Sequence, residues 1–375
     1  MRCASLLILA IVVGLLVRVR AEEWDVRKQQ GRDYVTFDNV ARFYRFADYS
    51  HANRTIAMRS EHRVIRAQVG TSEILINGVR FFTDFPLLER GDTQLISAED
   101  VGKIIESVLR PSRIANGQKV TTVVLDPGHG GTDQGTANQW GSEKNFALDV
   151  ALAARQELLH AGYKVEMTRS DDSGISLEDR VEFANRFPQA VFISIHFNSG
   201  SGGAGIESYA LAPAGVPSNA GADGEHHLSG ADSAADEGNA QDSQNIALAA
   251  AVHASVLSRA GAFDRGIRHA RFKVLRHVRI PALLLEAGFL NNPIDAAHIA
   301  TFQYRRQLGE AIAQGVQAYD AAVNYRAQNP PTFASVRPTL PPHTHSIVEP
   351  LSSSPPTAGN VMPETVSAGT HESEH

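Results

Sequence analysis

From Val120 onward, short apolar runs alternate with longer segments whose apolar positions recur at helical spacing. The runs at 121–125, 163–168, 190–195, 205–211, 272–275 and 282–285 have the length and composition of buried strands. Helices fit between and after them. One covers 142–160, with Phe146, Leu148, Val150, Leu152 and Leu158 as apolar positions, and the others cover 177–187, 244–259 and 302–323. Strands separated by helices predict an α/β domain over 120–323, built on a mostly parallel, twisted sheet flanked by helices.

Residues 22–115 carry a different pattern and read as a small α+β module. Val40, Phe43, Phe46 and Ala47 repeat at helical spacing behind Asp38, a candidate N-cap. Strands are expected at 63–69 and 73–81, the second bent at Asn77-Gly78. A helix follows Ser97, which has Asp100 at capping-box spacing, and places Val101, Ile104, Ile105 and Val108 on one face. Through "EILINGVRFF" and "VGKIIESVLRP" this module resembles the N-terminal domain of copper amine oxidases; it carries no metal site. The polar stretch 111–118, with Asn116-Gly117, separates it from the α/β domain.

The two ends are patterned for other purposes. Arg2, an apolar stretch over 6–17 and Val19-Arg20-Ala21 read as an export signal over 1–21. The apolar stretch is shorter than the roughly 20 residues that span a bilayer, and an uncleaved anchor stays open as the alternative. Later segments supply no transmembrane core. Nine of the 17 prolines fall between Pro330 and the C-terminus among Ser, Thr and His, so 326–375 reads as a disordered tail.

Charge and cysteine content remove whole classes of function. With 35 Lys+Arg against 41 Asp+Glu and no basic run, nothing in the chain attracts nucleic acid. The single cysteine, Cys3, lies in the leader, which excludes a disulfide framework and a thiolate-held zinc. No H-E-x-x-H helix is present.

The candidate chemistry collects at strand ends, where open α/β sheets bind ligands. "VVLDPGHGG" delivers His129 in a glycine-rich turn, and "VFISIHFNSG" delivers His196. Glu143 falls in the first turn of the helix after the His129 loop, 14 residues on (143 − 129), where it also suits the helix dipole. "PALLLEAGFLNN" presents Glu286 after Leu283, Leu284 and Leu285, a carboxylate that is costly at the end of a buried apolar strand unless it is paired, hydrogen-bonded or functional. Two imidazoles and one carboxylate form a three-ligand Zn²⁺ set with a fourth position open to water, and a second glutamate is placed to take a proton.

The ordered motifs "LDPGHGG", "GSEKNFALDVA", "SLEDRVEFAN", "FISIHFNS", "GIESYAL" and "PALLLEAGFLNNP" resemble the zinc-dependent N-acetylmuramoyl-L-alanine amidases of the amidase_3 type over about 120–319. The resemblance implies zinc ligands at His129, Glu143 and His196 and a catalytic glutamate at Glu286. It also implies cleavage of the amide between N-acetylmuramic acid and L-alanine in peptidoglycan, in the periplasm or at the cell surface. A zinc peptidase acting on stem peptides and a noncatalytic wall-binding or activator protein are the alternatives. Asp126 and Asn198 are expected to orient the imidazoles, and Arg180 to fix its helix to the sheet or to form a surface salt bridge. Pro213 to Asp242 reads as a mobile acidic loop. Some amidases of this type carry a helix in the corresponding insertion that blocks zinc until a protein activator binds, but the Gly-rich segment here lacks the sustained apolar periodicity of such a plug. For its adjacent His226 and His227, metal contact is the minor reading.

Overall fold

A computed structural model describes residues 24–200, 203–219 and 233–325. The expected leader at 1–21, the expected tail at 326–375 with its histidines, and His226 and His227 lie outside the described residues.

The N-terminal region is richer in strands than its sequence pattern suggests. It holds β1 (Val26–Gln29), β2 (Arg32–Thr36), β3 (Asp48–Ala52), β4 (Thr55–Arg59), β5 (Val64–Gln68), β6 (Glu73–Ile76), β7 (Val79–Phe82), β8 (Leu88–Arg90) and β9 (Thr93–Ser97). The expected strand over 73–81, bent at Asn77-Gly78, is a hairpin of two antiparallel strands: both turn residues have positive φ, 53° and 88°, which a two-residue turn of matching twist requires. Helix α1 (Phe37–Phe43) is capped by Thr36, whose hydroxyl accepts from the Asn39 amide; Asp38, expected as the cap, instead sits in the first turn. Phe46 and Ala47 lie beyond the helix end. Ser97 caps α2 (Ala98–Asp100) as expected, and the chain continues through a π-helical turn, Val101–Ile105, into α3 (Glu106–Leu109). Val101, Ile104, Ile105 and Val108 are all buried.

The α/β region supplies β10 (Thr122–Pro127), the two-residue strands β11 (Ala137–Asn138) and β12 (Gly141–Ser142), α4 (Glu143–His160), β13 (Lys164–Met167), α5 (Leu177–Ala184), β14 (Ala190–Asn198) and β15 (Ile206–Leu211). It continues with α6 (Asp242–Ala260), β16 (Asp264–Ala270), α7 (Lys273–Arg276), β17 (Ala282–Phe289), α8 (Pro293–Ile299) and α9 (Phe302–Asn324). The segment 272–275, expected as a strand, is mostly helix α7, and the strand of that region is β16, just upstream. β16 escapes the apolar-run criterion because Asp264, Arg265, Arg268 and His269 interrupt it.

A single sheet runs through both regions in the order β13-β10-β14-β17-β15-β16-β7-β6-β5-β4-β3. Strands β13, β10, β14 and β17 are mutually parallel, whereas β15 runs antiparallel to β17. The parallel pairing of β16 with β7, through Ile267 and Phe81, carries the sheet into the N-terminal hairpins. Alternation along the strands sorts side chains to two faces. Val123, Leu125, Val191, Ile193, Leu283 and Leu285 pack under α4, α6 and α9, in a core that also contains Ile56, Met58, Phe81 and Ile104. Val124, Phe192 and Leu284 face Ala184 of α5 and Val274 and Leu275 of α7. These two helices are short, and their face carries the strand-end polar residues of the site. Among the described residues no helix is long and apolar enough to cross a membrane.

Candidate metal centre

The apolar strand β10 ends in Asp126 and Pro127, and the chain turns sharply through residues whose φ angles are 60° at His129, 129° at Gly130 and 60° at Gly131. His129 thus occupies the left-handed region, uncommon outside glycine, and two buried arginines hold it there. Arg169 donates to the carbonyls of Pro127 (3.0 Å), Gly128 (2.7 Å) and Lys144 (2.7 Å). Arg180 donates to the Asp126 carboxylate (2.6 Å) and to the carbonyls of Pro127 (2.8 Å) and His129 (2.6 Å). Arg180 therefore does fix its helix, through a buried ion pair and not a surface one.

The loop returns through β11 and β12 to deliver Glu143 as the first residue of α4. Its Oε2 accepts from the Thr136 amide (3.0 Å) and its Oε1 from the Phe197 amide (3.1 Å). The same Oε1 lies 2.9 Å from His129 Nε2 and 3.0 Å from His196 Nδ1. The two rings meet edge to face, 5.0 Å between centroids. Sequence positions 129, 143 and 196 are thereby brought together, with one ligand atom from each within 4.8 Å of the others.

These contacts suit a cation. Two donors about 2.0–2.1 Å from a tetrahedral ion stand about 3.3 Å apart, close to the spacings here. Burial pushes the Glu143 carboxyl up, but the two imidazoles outweigh it and hold the group well below the ordinary carboxylate range. Burial lowers the His129 imidazole, and Glu143 and Asp133 raise it on balance. Asp133 Oδ2 contacts His129 Nδ1 at 2.8 Å, which keeps Nε2 for the cluster.

The residues expected to orient the imidazoles do other work. Asp126 accepts from Arg180, Thr168 (2.6 Å) and Ser194 (2.7 Å) and contacts neither ring. Asn198 Oδ1 accepts from the amides of Ser199 (2.6 Å) and Gly200 (3.0 Å). Asp133 was legible only as an acid four residues beyond His129, and Arg169 carried no signal beyond being an arginine after a strand.

Glu286 is the register partner of His196 across β14 and β17, and of Glu207 across β17 and β15. All three side chains leave the same face of the sheet. Glu286 Oε2 is buried without a hydrogen-bond partner among the described residues, an orphaned acceptor beside a cation-shaped cluster. Burial, then the charges of Glu143 and Glu207, push its carboxyl well above the ordinary range; a dication at the cluster acts in the opposite sense. The expected acidic loop is partly tied down at its C-terminal end: Asp236 pairs with Arg271 and Arg276, and Asp242 pairs with Lys103.

Residues 123–318 match the Amidase_3 family model, described as N-acetylmuramoyl-L-alanine amidase. The chain is 32% identical over 197 residues to the sporulation-specific N-acetylmuramoyl-L-alanine amidase of Bacillus subtilis (strain 168), a match covering 52% of this chain and 66% of that protein. It is 30% identical over 253 residues to the N-acetylmuramoyl-L-alanine amidase AmiA of Escherichia coli (strain K12), covering 61% of this chain and 86% of that one. An N-acetylmuramoyl-L-alanine amidase structure from Clostridium difficile 630 shares 33% identity, with 54% of this chain and 97% of that chain covered and a TM-score of 0.43. The chain spans just under two thirds of the length of the Bacillus relative.

Proposed function

The chain belongs to the Amidase_3 family of N-acetylmuramoyl-L-alanine amidases, and from that premise we propose that it hydrolyses the amide joining N-acetylmuramic acid to the first L-alanine of a peptidoglycan stem peptide. The supporting observation is the convergence of His129, Glu143 and His196 beside Glu286, which lies inside β17 because that strand runs on to Phe289, past the expected end at 285. His129 Nε2, Glu143 Oε1 and His196 Nδ1 are the atoms that would hold Zn²⁺, a mixed nitrogen and oxygen set that this ion favours. Zinc, when bound there, supplies Lewis acidity that polarises the scissile carbonyl and acidifies water at the site.

The chain's own residues account for the rest. Glu286 takes the proton of the attacking water and returns it to the leaving amine, a role suited to a carboxylate with an unused buried oxygen. Asp133 holds the His129 ring, and Arg169 and Arg180 hold the turn that carries it. Such a substrate lies outside the cytoplasmic membrane, in keeping with an export signal over 1–21; action in the periplasm or at the cell surface follows.

Digestion of purified sacculi with and without chelator, followed by mass analysis, tests this reading. Intact stem peptides released in a chelator-sensitive way support it. Shortened stem peptides would identify a peptidase, and no release would remove the hydrolytic assignment.

A further inference from the structure

The row of side chains that contains His196 and Glu286 continues away from the metal cluster to Glu207, and beyond it stands a guanidinium that amide hydrolysis leaves unused. Glu207 Oε1 accepts from Arg268 Nε at 2.6 Å. Arg268 is engaged through two of its nitrogens, since it also donates to the Asn219 carbonyl (3.1 Å), and it lies 3.6 Å over the Phe82 ring of β7. Arg265 is different. The register of β15 against β16 slips between Ile206, paired with Asp264, and Glu207, paired with Gly266, so Arg265 is the extra residue of a bulge. Bulges of this kind re-aim a side chain, and they recur beside active sites.

The bulge brings Arg265 Nε to 3.7 Å from Glu207 Oε2, an ion-pair distance too long for a hydrogen bond, and sets its guanidinium 4.8 Å over the Phe289 ring. Its side chain is 25% exposed, and Nε is buried without a partner. Among the described residues no acceptor lies within hydrogen-bond distance of this guanidinium. A planar cation held by a ring and one carboxylate, with its donor fork open, is built to receive an oxyanion in two-point fashion.

Position identifies which oxyanion. Two strand spacings of about 4.8 Å separate Glu207 from His196, and although Arg265 stands on the next strand, its guanidinium reaches back against Glu207 and over Phe289 of β17, on the order of 10 Å from the cluster. An extended peptide covers about 7 Å in two residues, and side-chain reach makes up the difference. On the reading of the preceding subsection, on which this inference rests, we infer that Arg265 binds a free carboxylate of the stem peptide one residue beyond the cleaved amide, and that Glu207 and Phe289 hold Arg265 in place. A carboxamide at the same point offers one neutral acceptor and no charge, so the site discriminates acidic from amidated stem peptides.

The test uses the full chain loaded with zinc and two synthetic N-acetylmuramyl peptides that differ only in a carboxylate or a carboxamide on the second stem residue. Arg265→Ala is expected to lower kcat/KM for the acidic substrate about 10- to 100-fold, mainly through KM, the size of a lost charge-assisted contact. The amidated substrate should change less than about 3-fold, and Arg265→Lys should recover part of the loss. Equal losses on both substrates would mark Arg265 as merely structural, and no loss on either would place the peptide elsewhere; both outcomes overturn the inference. Binding of the acidic and amidated stem peptides to Glu286→Gln, with and without Arg265→Ala, is followed by NMR titration. If neither substrate is cut, the hydrolysis reading fails and this titration decides: a preference for the acid that needs Arg265 upholds the inference, and its absence overturns it.

Discussion

His196 and Glu286 are direct partners across two parallel strands, β14 and β17. Neighbouring strands lie about 4.8 Å apart, so their side chains rise side by side from one face. On the proposed reading, the metal-ligand role and the proton-transfer role fall to adjacent positions of one sheet.

Glu286→Gln should separate those roles. The amide keeps the shape and removes the base, so turnover is expected to fall at least about 100-fold, and toward 10,000-fold if no other group takes the proton. Metal content, measured by elemental analysis, should be unchanged. Because burial disfavours the charged form of Glu286, the variant should melt at the same temperature or higher. Retained turnover would move the base elsewhere.

Loss of a ligand should read out in metal content first. His129→Ala and His196→Ala are each expected to bind no zinc and to lack the rise in Tm expected of the parent protein with zinc, about 2.7 kcal/mol of stabilisation at 100 times Kd. Asp133→Ala leaves all three ligands in place and frees the His129 ring, so a 10- to 100-fold weaker zinc affinity is expected. Stoichiometric zinc in both histidine variants would refute the ligand set.

Much of this site was legible before any coordinates, and the reason is local. His129, His196 and Glu286 each follow an apolar run in the sequence, and a polar residue there stands out against the buried positions before it, although β17 continues past Glu286 to Phe289. Glu143 was visible through its helix start. What escaped depends on packing at a distance. Asp126 looked like a partner for His129, but alternation along β10 and β14 aims it at Ser194 and Arg180. The continuity of the sheet through β16 and β7 was hidden because β16 is polar and pairs with a strand nearly 190 residues upstream, through Ile267 and Phe81. Thr36 displaced Asp38 as a cap because the helix starts two residues earlier (38 − 36) than its apolar spacing suggests, a difference that propensity alone does not resolve.

Gly135 is expected to tolerate no side chain. A Cβ there would stand 2.6 Å from Glu143 Oε2 and 2.7 Å from His129 Cδ2, and its φ of +59° adds backbone strain. Gly135→Ala should therefore push two ligands apart and weaken zinc binding by at least about 10-fold, with about 1–3 kcal/mol of lost stability from overpacking. Zinc titration and urea denaturation measure the two effects. Parent-like zinc affinity would show that the loop relaxes freely.

Ser208, His253 and Asp264 mimic a nucleophilic triad without the access that chemistry needs. His253 Nδ1 lies 2.9 Å from Ser208 Oγ and Nε2 lies 3.0 Å from Asp264 Oδ1, but Ser208 and His253 are fully buried. The cluster ties α6 to β15 and β16. Ser208→Ala should cost about 1–3 kcal/mol by leaving a buried imidazole nitrogen unpaired, with hydrolytic turnover of the folded protein unchanged. A loss of turnover without a loss of stability would contradict this.

Stability should fall as pH rises through neutrality, because of a buried acidic cluster remote in sequence from the metal ligands. Burial, then the charge of Asp84, push Asp100 up to about 7 from its ordinary 3.8, against hydrogen bonds from Ser97 and the Asp84 amide. His269 contacts Asp84 at 2.5 Å; burial lowers its imidazole, and the charge of Asp84 raises it on balance, with Asp100 and Asp242 adding to the rise. Between 3.8 and 7 the unfolded chain has lost the Asp100 proton while the folded chain keeps it, so unfolding becomes easier as pH rises and levels off above 7. His269 has the same sign: its contribution is complete below the unfolded imidazole value and is lost as pH rises through the raised folded one. Asp100 alone should lower the unfolding free energy by about 1 kcal/mol from pH 6 to pH 8. In Asp100→Asn that component disappears, and the difference between the two proteins in urea denaturation isolates it from proton effects at the zinc ligands. Parallel pH profiles for the two proteins would mean that Asp100 is ionised throughout the range.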